Sequence, residues 1–160
     1  MCSAADIAWK LPESDARISG LILLDPCAVR GRWFRLGQLR RFMARPAGEW
    51  IGMLGRGLRR ELADRIPSAR DWPAEQEFVR RNRRMMADGI GMYVLYTSGV
   101  GNYFLHPRQM DAGFPGQSRN PRMRMRHQAD IDHIMFVPGQ RATILDDIAD
   151  WLKGLYPHAA

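Results

Sequence analysis

A chain of 160 residues, 46% of them hydrophobic, has room for one domain with a buried core. No apolar run reaches the ~18 residues of a membrane-spanning helix. No basic-then-apolar leader opens the chain, and its 2 cysteines do not make a disulfide framework, so a cytoplasmic single domain over 1–160 is expected. The net charge of +7 comes almost entirely from arginine, and the segment Arg30–Arg84 is its most basic part. Such a field attracts an anionic partner: nucleic acid, acidic lipid, a phosphorylated carrier or an acidic polysaccharide. The same residues also suit solvated helix faces in a chain that favours Arg over Lys. They are not interleaved with aromatics as in a nucleic-acid module.

Cys2 to Leu11 reads as a helix of about three turns ended by Pro12. A strand follows over 18–24. Its run Leu21-Ile22-Leu23-Leu24 is apolar at every position, as in parallel strands covered on both faces by helices. Residues 27–88 hold no comparable strand. Trp33, Phe34, Leu36, Leu39, Phe42 and Met43 recur at helical spacing, as do Trp50, Ile51, Leu54, Leu58 and Leu62. Glycines at 48, 52, 55 and 57 weaken that second helix, where mobility is expected. Ala74 to Ala87 forms a third, begun after Pro73 and stopped at Gly89. A second strand is expected over 91–97, a turn at 98–102, and a short helix over 103–112. Alternating Arg122-Met123-Arg124-Met125-Arg126 then predicts an edge strand over 122–128 with one wet face. Pro138 to Leu155 closes the chain as an amphipathic helix carrying Ile144, Leu145, Ile148, Trp151 and Leu152 on one face.

This order predicts an α/β fold: a three-stranded parallel sheet (18–24, 91–97, 122–128) with flanking helices and a helical, lid-like insertion over 27–88. Three strands are few for such a sheet, and Leu21–Leu24 reads as central, so further sheet is expected beyond it.

Between the third strand and the last helix lies Ile131-Asp132-His133, followed by Ile134-Met135-Phe136. With the helix at the start of the chain, the strand ending Leu23-Leu24-Asp25-Pro26 and the terminal helix, this ordered set resembles the C-terminal half of the α/β-hydrolase superfamily. Within it, the likeness is to serine-aminopeptidase-like hydrolases, including those associated with exopolysaccharide and exosortase gene clusters. Cys2 to Leu11 matches the helix after the nucleophile elbow, Ile18 to Pro26 the sixth strand, and 27–88 the lid. Tyr93 to Gly99 matches the seventh strand, Met123 to His133 the eighth strand and the base-bearing loop, and Thr143 to Leu152 the last helix.

The resemblance implies an acyl-enzyme hydrolase acting on an ester, thioester or amide of a small acyl substrate. Cys2 would be the nucleophile, with small Ala4 and Ala5 where an elbow needs them. Were Ser3 the nucleophile, Met1 would stand where the elbow wants Gly. The Ser3 amide would be one oxyanion donor, and His133 the general base. The family's acid position after the seventh strand reads Ser98-Gly99-Val100-Gly101-Asn102 and has no carboxylate. Asn102 or Asp25 would orient the imidazole instead; Asp25 also suits turn capping before Pro26, and Asp132 suits holding the loop. No metal or cofactor motif is present in the sequence. The resemblance further implies that the chain starts at or just inside the elbow, that it is weakly active or inactive alone, and that its open sheet edge invites a homodimer. Two other readings stand beside it: a non-catalytic hydrolase-like protein binding an anion through its Arg-rich lid, and a small basic nucleic-acid-binding protein.

Overall fold

The structure, a computed structural model, describes residues 4–46 and 72–157. Three parallel strands form one sheet in the order β1 (Gly20–Leu24), β2 (Gly91–Thr97), β3 (Met123–Gln128). Ile22 pairs with Tyr93, and Tyr93 in turn with Arg124. Every residue of β2 is buried, so the middle strand has the continuous apolar run that a strand covered on both faces requires.

Helices lie on both faces. On one, α1 (Ala4–Ala8) and α3 (Glu75–Ala87) close over Leu21, Leu23, Met92, Val94 and Tyr96. On the other, α5 (Pro138–Leu155) lays Ile144 and Trp151 over Tyr93 and Leu95. A fully buried side chain such as Leu23 contributes about 2 kcal/mol by removal from water. Between strands, α2 (Arg32–Met43) and α4 (Arg108–Gly113) lean on one another beyond the C-terminal ends of the strands, where Trp33 stacks on His106.

Several sequence expectations are corrected. The first helix is short: α1 ends at Ala8, and Pro12 sits inside a 3-10 turn, Leu11–Glu13. The first strand begins only at Gly20. Ile22 is 43% exposed, so β1 is not covered on both faces among the described residues. The helix expected over 103–112 waits until Arg108, because Tyr103 and Phe104 are buried and Pro107 caps the helix start. The lid-like block also divides. Helix α3 packs into the core: Phe78 and Met85 are core residues, and its Asn82 links Trp9 Nε1 to the Gly113 carbonyl at 2.7 and 2.8 Å. The arginine face of β3 is not simply wet, because Arg124 and Arg126 lie against α5 and pair with Asp147 and Asp150. The helix expected around Trp50 to Leu62 lies outside the described residues. Among the described residues no helix is long and apolar enough to cross a membrane.

Candidate active site

At its C-terminal end β1 runs one residue past its strand, with Asp25 N–H donating to Leu95 O at 2.8 Å. Asp25 then turns with φ of 50°, a left-handed conformation that costs a non-glycine residue about 1–2 kcal/mol. Asp tolerates it better than most, and Pro26 follows at once. The twist sends the carboxylate back over the sheet edge, where it is only 2% exposed.

Thr97 and His133 meet it there. Thr97 N–H donates to Oδ1 at 2.7 Å and Thr97 Oγ1 to Oδ2 at 2.6 Å. His133 Nδ1 approaches Oδ2 at 2.5 Å. Against an ionised carboxylate, which can only accept, Nδ1 would be the donor, and Nε2 of a neutral ring would then present its lone pair. Among the described residues Nε2 has no hydrogen-bond partner, and the His133 side chain is 27% exposed. The geometry is that of an oriented imidazole with its basic nitrogen turned outward.

The surrounding backbone is fixed by buried polar contacts. Tyr103 hydroxyl donates to Asp25 O, Tyr96 hydroxyl to Cys27 O, and Gln109 Nε2 to Val29 O, each within 2.9 Å. These hold the loop after β1, whose carbonyls would otherwise be buried without donors. The histidine loop is held at both ends. Ser98 N–H donates to Ile131 O at 2.8 Å, while Asp132 accepts from the Ile134 amide at 2.8 Å and the Phe136 amide at 3.3 Å. Asp132 therefore shapes the loop and does not touch the ring. Ile134 and Phe136 stand exposed beside it.

Gly99 completes the seat. A Cβ there would stand 2.7 Å from His133 Cβ, closer than two carbons tolerate. Its amide donates to Thr97 Oγ1 at 3.2 Å. The Thr97 hydroxyl thus joins the carboxylate that orients the ring to the glycine on which the ring rests.

The structure brings together two of the candidates, Asp25 and His133, from opposite edge strands of the sheet. It leaves Asn102 exposed in the turn beyond the 3-10 helix Ser98–Val100, with no bond to His133. The position next to Nδ1 is taken by Asp25. Cys2 and Ser3 lie outside the described residues. Cys27 Sγ, just past Asp25, donates to Asp6 Oδ1 in α1 at 3.3 Å. His127, at the end of β3, packs its ring on Phe104. Burial there lowers its pKa below the ordinary imidazole value, against a smaller pull upward from Asp25.

Sequence reasoning missed Thr97 and Gly99. Their signal was present as Thr97-Ser98-Gly99, a Thr opening a turn through its hydroxyl and a Gly where two segments approach closely. Of the Arg30–Arg84 segment, several arginines have structural roles. Arg30 lies over Trp72, and Arg81 lies over Trp9 while pairing with Glu13 through Nε at 2.7 Å. Among the described residues no group of three His, Cys, Asp or Glu side chains is placed to hold a metal ion. Comparison with protein-family models, curated proteins and solved structures finds no match for this chain.

Proposed function

We propose that this chain performs acyl transfer of the α/β-hydrolase type, with Cys2 as nucleophile, His133 as base and Asp25 as the residue that orients the base. The observation that carries the reading is the buried Asp25 carboxylate, clamped by Thr97 and bonded to His133 Nδ1 at the C-terminal edge of a parallel sheet. That edge is where open α/β sheets hold their ligands. In the proposed reaction His133 Nε2 takes the Cys2 thiol proton as sulfur attacks the carbonyl of an ester, thioester or amide. The tetrahedral oxyanion would accept from the Ser3 amide. Collapse then breaks the bond to the leaving group, which recovers the proton from Nε2. Water, deprotonated by the same nitrogen, releases the acid and regenerates the thiol.

The test is acylation by p-nitrophenyl acetate, followed as p-nitrophenolate release and as a mass increase located to Cys2. Acylation should run well above the rate of a free cysteine in a peptide. Cys2→Ala should remove it, and His133→Ala should slow it about 10²-fold or more. An acylation rate equal to the peptide's, or one unchanged by His133→Ala, would defeat the proposal.

A further inference from the structure

A second concave site lies beyond the end of β3, where the last turns of α2 face the segment between β2 and α4. It is an open groove of about 600 Å³, within the size range of small-molecule sites. Its floor is apolar: Phe104, Leu105, Pro107 and Ala44. Its rim is basic: Arg40 and Arg41 from α2, with His106 and His127. No carboxylate lines it among the described residues, although acidic side chains make up 17 of the 160 residues. Thr97 and Ser98 line its side toward the His133 seat, and His133 itself is not part of it.

The donors are arranged for a ligand that brings the acceptors. Arg41 Nη1 donates to Gly101 O at 2.9 Å, which fixes its guanidinium across the groove. Arg40 is exposed and enters no ion pair among the described residues. His106 Nδ1 accepts from the Arg108 amide at 3.1 Å, so a neutral His106 ring has its proton on Nε2 as a donor. Its ring is held by stacking on Trp33 at 4.9 Å. Two planar guanidiniums and an imidazole donor above an apolar floor match a compact, multiply charged oxyanion attached to a hydrophobic body.

We propose that this groove binds a small phosphate monoester with an apolar organic part, the phosphate on Arg40, Arg41 and His106 and the body on Phe104 and Leu105. Binding here does not require acyl transfer at Cys2.

Phenyl phosphate is the probe, titrated calorimetrically into the 160-residue protein at fixed, near-physiological ionic strength. One saturable site is expected. Arg40→Gln and Arg41→Gln should each weaken it about tenfold, the equivalent of one charge-assisted hydrogen bond. Arg83→Gln, an exposed arginine on α3 away from the groove, should leave it unchanged. Inorganic phosphate should bind several-fold more weakly, because it lacks the body that would cover the floor. Cys2→Ala should bind phenyl phosphate as the wild type does, so a failure of the acyl-transfer reading would leave this result intact. Absence of saturation would overturn the proposal. So would equal weakening by Arg83→Gln, equal affinity for phosphate and phenyl phosphate, or duplex DNA binding that falls alike in all three arginine variants.

Discussion

Asp25 and Asp147 each gather donors from a neighbouring strand, yet they are built for different ends. Asp147 projects from the middle of α5 and receives the Tyr93 hydroxyl at 2.7 Å, Arg126 through Nε and Nη2 at 2.9 Å, and Arg124 Nη1 at 3.0 Å. The Arg126 bonds lead, helped by Tyr93 and by the two guanidinium charges and opposed by partial burial, in holding its carboxyl at a pKa of about 2. The same contact, together with burial, pushes the Tyr93 phenol well up. Permanent cations leave this cluster one protonation state over the whole neutral range. Asp25 is more deeply buried and takes a backbone amide, a hydroxyl and an imidazole. Its imidazole still has a nitrogen to offer. One aspartate fastens a helix to a sheet; under the proposed acyl transfer the other would support a proton that moves.

The largest separation between the two should come from removing each charge with shape retained. Asp25→Asn would turn an amide NH2 toward donors already pointing at it and favour the wrong tautomer of His133. Acylation of Cys2 should fall about 10³- to 10⁴-fold, and stability by about 3 kcal/mol, because buried donors lose their acceptor. Asp147→Asn should leave acylation within about threefold, about half of the 1.4 kcal/mol that a tenfold change represents. Denaturant titration and burst kinetics on the same preparations measure both. Equal acylation losses in the two variants would erase the distinction.

Next in size is the seat of the ring. Gly99→Ala would insert a methyl 2.7 Å from His133 Cβ and press the base away from Asp25. A displacement near 1 Å typically costs about 10²-fold in rate. Stability should fall by only about 1 kcal/mol, since Gly99 is exposed and its loop can yield. An unaltered acylation rate would show that ring position is set elsewhere.

The Asp147 cluster should reveal itself through acid. Its pKa is about 2 in the folded chain against 3.8 for the free side chain. A depressed folded pKa gives stability that is fully present above about pH 4 and fades as pH falls toward 2. The shift amounts to about 2 kcal/mol. In urea titrations, wild type should lead Asp147→Asn by roughly that much at pH 7, and the gap should close by pH 2. A gap that persisted at pH 2 would mean the variant had lost packing and not an ion pair.

How much of this was legible beforehand follows from the range of each interaction. The apolar run of β2 and the period of α5 are local, and strand and helix lie where the sequence puts them. Helix α3 also showed its core face, with Phe78, Asn82 and Met85 at helical spacing, but that face was assigned to a lid because its partner, the sheet, is remote in sequence. The Arg124 and Arg126 face looked wet for the same reason: its counter-charges sit more than twenty residues away on α5. Asn102 and Asp25 are both candidates on the chain, with turn capping before Pro26 the competing and stronger role for Asp25. Only the side-by-side placement of β1 and β2, which puts Thr97 under Asp25, separates them.

The smallest expected effect tests the hydroxyl that joins carboxylate and glycine. Thr97→Val keeps the shape and the backbone N–H that bonds Asp25 Oδ1, and removes only Oγ1. Asp25 Oδ2 would retain the imidazole, and the Gly99 amide would lose its acceptor. The cost should be about 1 kcal/mol of stability, the net worth of one such bond. Acylation should slow by about tenfold, since the ring loses part of what fixes both its partner and its seat. Tyr93→Phe is the matched change at the other aspartate: it too deletes one hydroxyl donor to a carboxylate, at similar cost in stability, but should leave acylation alone. If the two substitutions cost equal stability and only Thr97→Val slows the chemistry, hydrogen-bond strength is ruled out as the cause and position at the sheet edge is left. If both slow it alike, general loosening of the sheet explains the loss and the special role of Thr97 is gone.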